Sequence, residues 1–416
     1  MPKPTGDRLE LLYRISQTIN SSLDLDTVLD VLIDESIKVT RAERGLLMLY
    51  DADKQLALKT ARGIDRSTVE ETDFKSARSL VERVAKKGQP LLAGDAQTEF
   101  PSGKRANRKL AGLRSVLCVP IRHKDEILGA VYVDNRCQNG VFNQADLELL
   151  ESIASSAGIA IENARLYQLA VERGRVEREL QMARAVQAGL IPTDTPKIPG
   201  WELAAYWRPA HEVGGDFYDF MTLPDGRTGI VVADVSDKGM PAAIFMALTR
   251  SILRAAAGQN DSPAADIAQA SRLIWHDSAA EMYVTLCYAC LSPRDGRLVY
   301  VNAGHNPPLL LRSAGGEIRE LERTGMAAGV ESDTLYQEGS LEFETGDSLL
   351  IYTDGMIDAI GAQGHFGEQR LKEAFKRFSR LDAHGTVAAL EKELCTFSND
   401  DISFDDITML VIKRIG

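Results

Sequence analysis

The chain has 416 residues, 44% hydrophobic and 26% charged, which is the composition of a soluble globular protein with room for two domains. Its formal net charge of −12 excludes a general nucleic-acid or anionic-membrane binder, since either would need a basic surface. No apolar run approaches the roughly 20 residues needed to cross a bilayer. The start "MPKPTGDRLELLYR" has no apolar core behind its charges, so the sequence reads as cytoplasmic.

In chain order, apolar residues recur at helical spacing in "LELLYRISQTI" and "LDTVLDVLIDESIKV", which predicts two helices over about residues 7 to 40, with the cap region "SSLDLD" between them. "ERGLLMLYD" and "QLALKTARG" alternate like paired strands across the turn "ADK". An irregular polar region follows at about 93 to 112. The strands "SVLCVPIRH" and "EILGAVYVDN" come next, and "NQADLELLESIASSAGIAIENARLYQLA" begins a long helix. The stretches "RAERGLLMLYD", "RSVLCVPI", "ILGAVYVDN" and "FNQADLELLESIASSAGIAIENARLY" resemble a GAF domain, a sensory fold built on an antiparallel sheet with helices. That resemblance covers about residues 8 to 165 and implies a sensor open to a small ligand the sequence does not name. His123 is read as solvated in a turn rather than as a haem ligand, and Cys137 as no bilin attachment point.

The helix continues past the domain edge as a linker over 166–191. A three-four alternation runs through Leu166, Leu169, Arg173, Val176, Leu180, Ala183, Gln187 and Leu190. The spacing fits a two-stranded coiled coil or a helix packed on its own domain, weakened by Arg173, Gln187 and Gly174. Pro192 ends it, and "PTDTPKIPG" is a connector without regular structure.

From 192 to 416 strands and helices mix without strict alternation, so the class is α+β, with two β-sheets flanked by α-helices. Cys287 and Cys290 form a C-x-x-C within "MYVTLCYACLS". The segment reads as a strand, where residues three apart face opposite ways, so both are expected to be buried apolar side chains rather than a metal or redox pair. Acids, however, collect at strand ends. Asp216 follows Gly214 and Gly215, Asp234 ends "GIVVAD", Asp354 ends "SLLIYTD", and Asp405 and Asp406 open "FDDITMLV". Carboxylates held together repel unless they share cations. About four negative charges match two divalent ions, and hard oxygen donors favour Mn²⁺ or Mg²⁺. Such a pair could activate a water for attack on phosphorus.

The motifs "EVGGDFYDF", "VVADVSDKGMPAAIFMA", "YVNAGHNPPLLL", "IYTDGMIDA" and "FDDITMLVI" together resemble the PPM-type, SpoIIE/RsbU-like metal-dependent serine/threonine protein phosphatases. The resemblance implies that Asp216 binds one metal, that Asp234 bridges both with the Val235 backbone carbonyl beside it, and that Asp354 and Asp405 complete the other shell. Asp219 would either hold a water at the site or order its loop. Where better-known relatives carry a histidine after the bridging aspartate, this chain has Ser236 and Asp237, which leaves the general acid open. Asp237 itself stands where relatives often carry glycine. Arg208 is read as a surface arginine, and His305 and Asn306 as braces of a turn. The expected function is a signal-regulated phosphatase, with no nucleic-acid or membrane partner, acting on a phosphorylated STAS-type anti-sigma-factor antagonist. The competing expectation is a catalytically silent signalling scaffold.

Overall fold

The computed structural model describes residues 5–63, 72–93, 115–136, 141–278, 282–362, 364–399 and 405–416. The chain divides into two compact units, Met1–Val176 and Glu177–Gly416. Cys137, and the expected irregular region apart from Ala93, lie outside the described residues.

The first unit is built on an antiparallel five-stranded sheet. Its strands are β1 (Arg44–Tyr50), β2 (Leu56–Arg62), β3 (Leu91–Ala93), β4 (Ser115–His123) and β5 (Glu126–Asn135), in the order β2-β1-β5-β4-β3. The central strands are buried on both faces and read as near-continuous apolar runs. Period-two alternation sorts their side chains. Leu47, Leu117 and Val131 pack with Leu29 and Leu32 of helix Leu25–Thr40 and with Ile153. Leu46, Met48 and Tyr132 pack with Val81 and Val84 of helix Thr72–Lys87. The predicted cap holds: Asp24 accepts the Thr27 N–H at the start of helix Leu25–Thr40. His123 closes β4 half-buried rather than lying in a turn; the turn falls on the next residue, Lys124, at φ 52°.

Helix Gln144–Leu190 runs unbroken for 47 residues. Leu166, Leu169 and Val176 are exposed along it, Leu180, Ala183 and Leu190 are half-buried, and Gln187 is only 4% exposed.

The second unit places two antiparallel five-stranded sheets face to face. One contains β7 (Phe217–Thr222), β8 (Thr228–Val235), β9 (Val284–Ser292), β10 (Arg297–Ala303) and β13 (Gly339–Glu342), ordered β13-β10-β9-β8-β7. The other contains β6 (Trp201–Arg208), β11 (Leu309–Leu311), β12 (Ile318–Glu320), β14 (Ser348–Tyr352) and β17 (Ile407–Arg414), ordered β12-β11-β14-β17-β6. Alternation again decides the layers. Leu349 and Ile351 join Ile230, Val232 and Leu286 between the sheets, while Leu350 and Tyr352 face Leu371, Phe375 and Leu390 of helices Gly367–Phe378 and Ala383–Phe397. Helices Met240–Ala256 and Pro263–Asp277 cover the other sheet. Cys287 and Cys290 are both 1% exposed within β9, and burial pushes both thiols up, so neither is a ready thiolate.

Strand pairing gathers the acid-bearing ends. β7 begins just after Asp216 and pairs with the end of β8 through Phe217↔Ala233. β14 ends just before Asp354, where Tyr352 pairs with Met409 near the start of β17, just after Asp405 and Asp406.

Candidate active site

Asp216 is 1% exposed, and its Oδ2 accepts the hydroxyls of Thr353 at 2.6 Å and Thr408 at 2.9 Å. Burial, with Asp234 and Asp406 close by, pushes its carboxyl well above the usual carboxylate range against the pull of those hydroxyls. Asp234, on β8 opposite Thr285 of β9, is pushed up to about 7 by burial and by the charge of Asp354. Asp354 is raised by burial and by Asp405. The interactions that shift these groups tie Asp216, Asp234, Asp354, Asp405 and Asp406 into one electrostatic cluster.

Two glycines permit this approach. The tandem glycines before Asp216 adopt no positive φ. What they supply is room. A Cβ on Gly214 would collide with the Asp406 carboxylate, and one on Gly355 would collide with the Asp406 backbone carbonyl.

Asp406, to which the sequence pattern assigns no role, anchors a loop. Its Oδ1 accepts the Ala210 N–H at 2.8 Å, and its Oδ2 accepts the N–H groups of Gly215 at 2.6 Å and Asp216 at 3.3 Å. It therefore shapes the loop that delivers Asp216. Asp405 has other partners: Oδ1 accepts the Asp406 N–H at 3.0 Å and Oδ2 pairs with Lys238 Nζ at 2.8 Å. Gln187, a polar interruption of the predicted seam, clamps the same loop. Its Nε2 donates to the Gly214 carbonyl at 2.6 Å and its Oε1 accepts the Gly214 N–H at 3.0 Å. The Tyr218 hydroxyl donates to the Pro192 carbonyl at 2.7 Å, which ties the connector to β7.

Asp219 belongs to a different environment. It is fully buried and accepts Arg254 Nη1 at 2.7 and 2.8 Å, with Arg250 Nε 3.0 Å away. With two guanidinium partners it orders β7 against helix Met240–Ala256. His305 is 2% exposed, its Nδ1 is 2.9 Å from Thr285 Oγ1, and its N–H donates to Asn302 Oδ1 at 2.8 Å. Burial lowers it to about 3, so it stays neutral and braces the turn behind Asp234's partner strand. Arg208 is exposed at the end of β6, paired with Ile407.

Among the described residues no three His, Cys, Asp or Glu side chains are already drawn together as ligands of one ion. The donor chemistry nevertheless suits a hard divalent cation. Carboxylates raised by burial and by mutual repulsion gain most from a shared positive charge, and every candidate donor is oxygen.

Comparison with known proteins agrees with this architecture. The GAF domain family matches residues 22–162, and the stage II sporulation protein E (SpoIIE) family matches residues 224–415. The chain thus carries a GAF domain followed by a SpoIIE-type, PP2C-like phosphatase domain. It is 33% identical over 273 residues to protein IcfG of Synechocystis, a match covering 59% of this chain and 43% of that relative. It is 24% identical over 239 residues to phosphoserine phosphatase RsbU of Bacillus subtilis, covering 58% of this chain and 71% of that protein. The solved SiaA-PP2C domain of Pseudomonas aeruginosa shares the fold at a TM-score of 0.53 and 22% identity, covering 59% of this chain and 99% of that one.

Proposed function

We propose that this chain is a signal-regulated protein serine/threonine phosphatase of the metal-dependent class, with its GAF domain (8–165) acting through the linker 166–191 on the catalytic domain (192–416). The observation that carries the reading is the convergence of five aspartates, spread from Asp216 to Asp406, at one end of the paired sheets. Asp216, Asp234 with the Val235 carbonyl, Asp354 and Asp405 would hold two Mn²⁺ or Mg²⁺ ions. When bound, these ions supply Lewis acidity toward the phosphoryl oxygens and lower the pKa of the attacking water. Thr353 and Thr408 fix the Asp216 carboxylate, and Asp406 and Gln187 fix the backbone that carries it. No histidine of this chain takes the general-acid position after Asp234, and His305 is held neutral.

The proposed substrate is a phosphorylated STAS-type anti-sigma-factor antagonist, a choice supported by the likeness to phosphoserine phosphatase RsbU. Exposed Leu166, Leu169 and Val176 support a homodimer through the linker. A cytoplasmic location fits: among the described residues no helix is long and apolar enough to cross a membrane.

The test is Mn²⁺-dependent hydrolysis of a phosphoserine peptide and of p-nitrophenyl phosphate by wild type and Asp354→Asn. The variant should lose more than about a hundredfold in kcat, because the ions contribute several kcal/mol of charge stabilisation. Equal inertness of both proteins at saturating metal would favour the silent scaffold.

A further inference from the structure

Lys238 is not among the residues that would hold the ions, yet it reaches into the acid cluster. Its Nζ lies 2.8 Å from Asp405 Oδ2, with 55% of the lysine side chain and 31% of the aspartate side chain exposed. A pair this open contributes little to stability, so its value lies in where the charge is placed. Asp405 Oδ1 already accepts the Asp406 N–H, and Lys238 takes the remaining oxygen.

The backbone delivers Lys238 to a fixed place. Ser236 N–H donates to the Tyr283 carbonyl at 2.9 Å, and Tyr283 N–H donates to Ser236 Oγ at 3.0 Å. Asp237 sits at φ 77° with its Oδ1 accepting the Lys238 N–H at 2.8 Å, and Gly239, at φ 76°, leads into helix Met240–Ala256. A pinned loop thus holds one end of a flexible stem, and the compact ammonium at the other end can leave Asp405 and return.

We propose that Lys238 is a tethered counter-cation that neutralises Asp405 in the ion-free protein and competes with a divalent ion for that carboxylate. This inference rests on the metal-site reading of the cluster. Loading the site is then an exchange of cations, in which the entering ion must displace the ammonium as well as shed its own water. The exchange raises the free-ion concentration at which the site fills. It also relieves repulsion among the acids while the site is ion-free, so Asp405 can stay beside Asp354.

Calorimetric Mn²⁺ titration of the full chain, stripped with chelator, tests this without reference to turnover. Lys238→Met should bind Mn²⁺ roughly three- to tenfold more tightly than wild type. Lys238→Arg, which keeps the charge, should stay within about twofold of wild type, and added salt should narrow the gap between wild type and Lys238→Met. Unchanged or weaker binding by Lys238→Met overturns the proposal while leaving the ion site standing. Absence of Mn²⁺ binding by every variant and by wild type overturns the ion site, and the proposal with it.

Discussion

The first unit buries Asp134 completely, and the second does the same to Asp216, but their surroundings differ in sign. Asp134 receives a bidentate Arg44, Nε to Oδ1 at 2.8 Å and Nη2 to Oδ2 at 2.6 Å, and a Tyr132 hydroxyl at 2.9 Å. Asp216 receives two threonine hydroxyls, and the charged groups that shift it are other carboxylates. A buried acid that carries its own guanidinium is complete as folded. One surrounded by acids lacks a charge that the chain does not supply, and that asymmetry separates a structural carboxylate from a functional one. Asp219 makes the same point within β7. Three residues beyond Asp216 it meets Arg250 and Arg254, and it needs no ion.

The sharpest test of this contrast is Arg44→Met. It should cost about 3–5 kcal/mol in urea unfolding of the full chain, followed by a probe in the first unit, because it strands a buried charge. Adding Asp134→Asn should recover much of the loss. A cost below about 1 kcal/mol for Arg44→Met would break the comparison, since the buried pair would then be no more complete than the acid cluster.

Much of this was legible in the sequence. Acids following apolar strands or glycines are conspicuous, and antiparallel pairing of strand ends brings them together. Gly214 and Gly355, close to Asp216 and Asp354, were legible as signals, but the close approach of Asp406 for which they leave room was not. Which of the adjacent Asp405 and Asp406 braces the loop before Asp216 was not legible. That depends on the N–H groups of Ala210, Gly215 and Asp216, contributed by a segment some 190 residues earlier. Gln187 failed for a related reason. Heptad spacing assigns a residue to a face but does not say that a loop 27 residues on will bond its amide. Lys238 likewise gains meaning only from the distant Asp405.

A smaller effect concerns pH. Asp234 is raised from 3.8 to about 7, so in the ion-free protein the folded state holds a proton that the unfolded chain releases near pH 4. Between those values the native state binds more protons, and this group's contribution to stability falls as pH rises. The loss is complete above about pH 7, opposite to the trend of a salt-bridged carboxylate. In chelator, Asp234→Asn should therefore gain stability relative to wild type as pH rises from about 4 to 7, with a plateau beyond. The folding constants should diverge by at most about tenfold per pH unit. Parallel pH profiles would show that Asp234 is as well compensated as Asp134. Saturating Mn²⁺ should reverse the sign for wild type, because the ion binds the deprotonated group.

The smallest effect tests the loop that presents Lys238. Asp237 occupies φ 77°, a region that costs a residue with a Cβ and costs glycine nothing. Its carboxylate offsets part of that cost by accepting the Lys238 N–H at 2.8 Å. Asp237→Gly should therefore leave ion-free stability within about 1 kcal/mol of wild type, with release of strain opposed by the added freedom of the unfolded chain. Asp237→Ala keeps the Cβ and loses the hydrogen bond, so it should be the less stable of the two. If alanine matched or exceeded glycine, the loop would have relaxed out of the positive-φ conformation. The fixed delivery of the ammonium to Asp405 would then lose its structural basis.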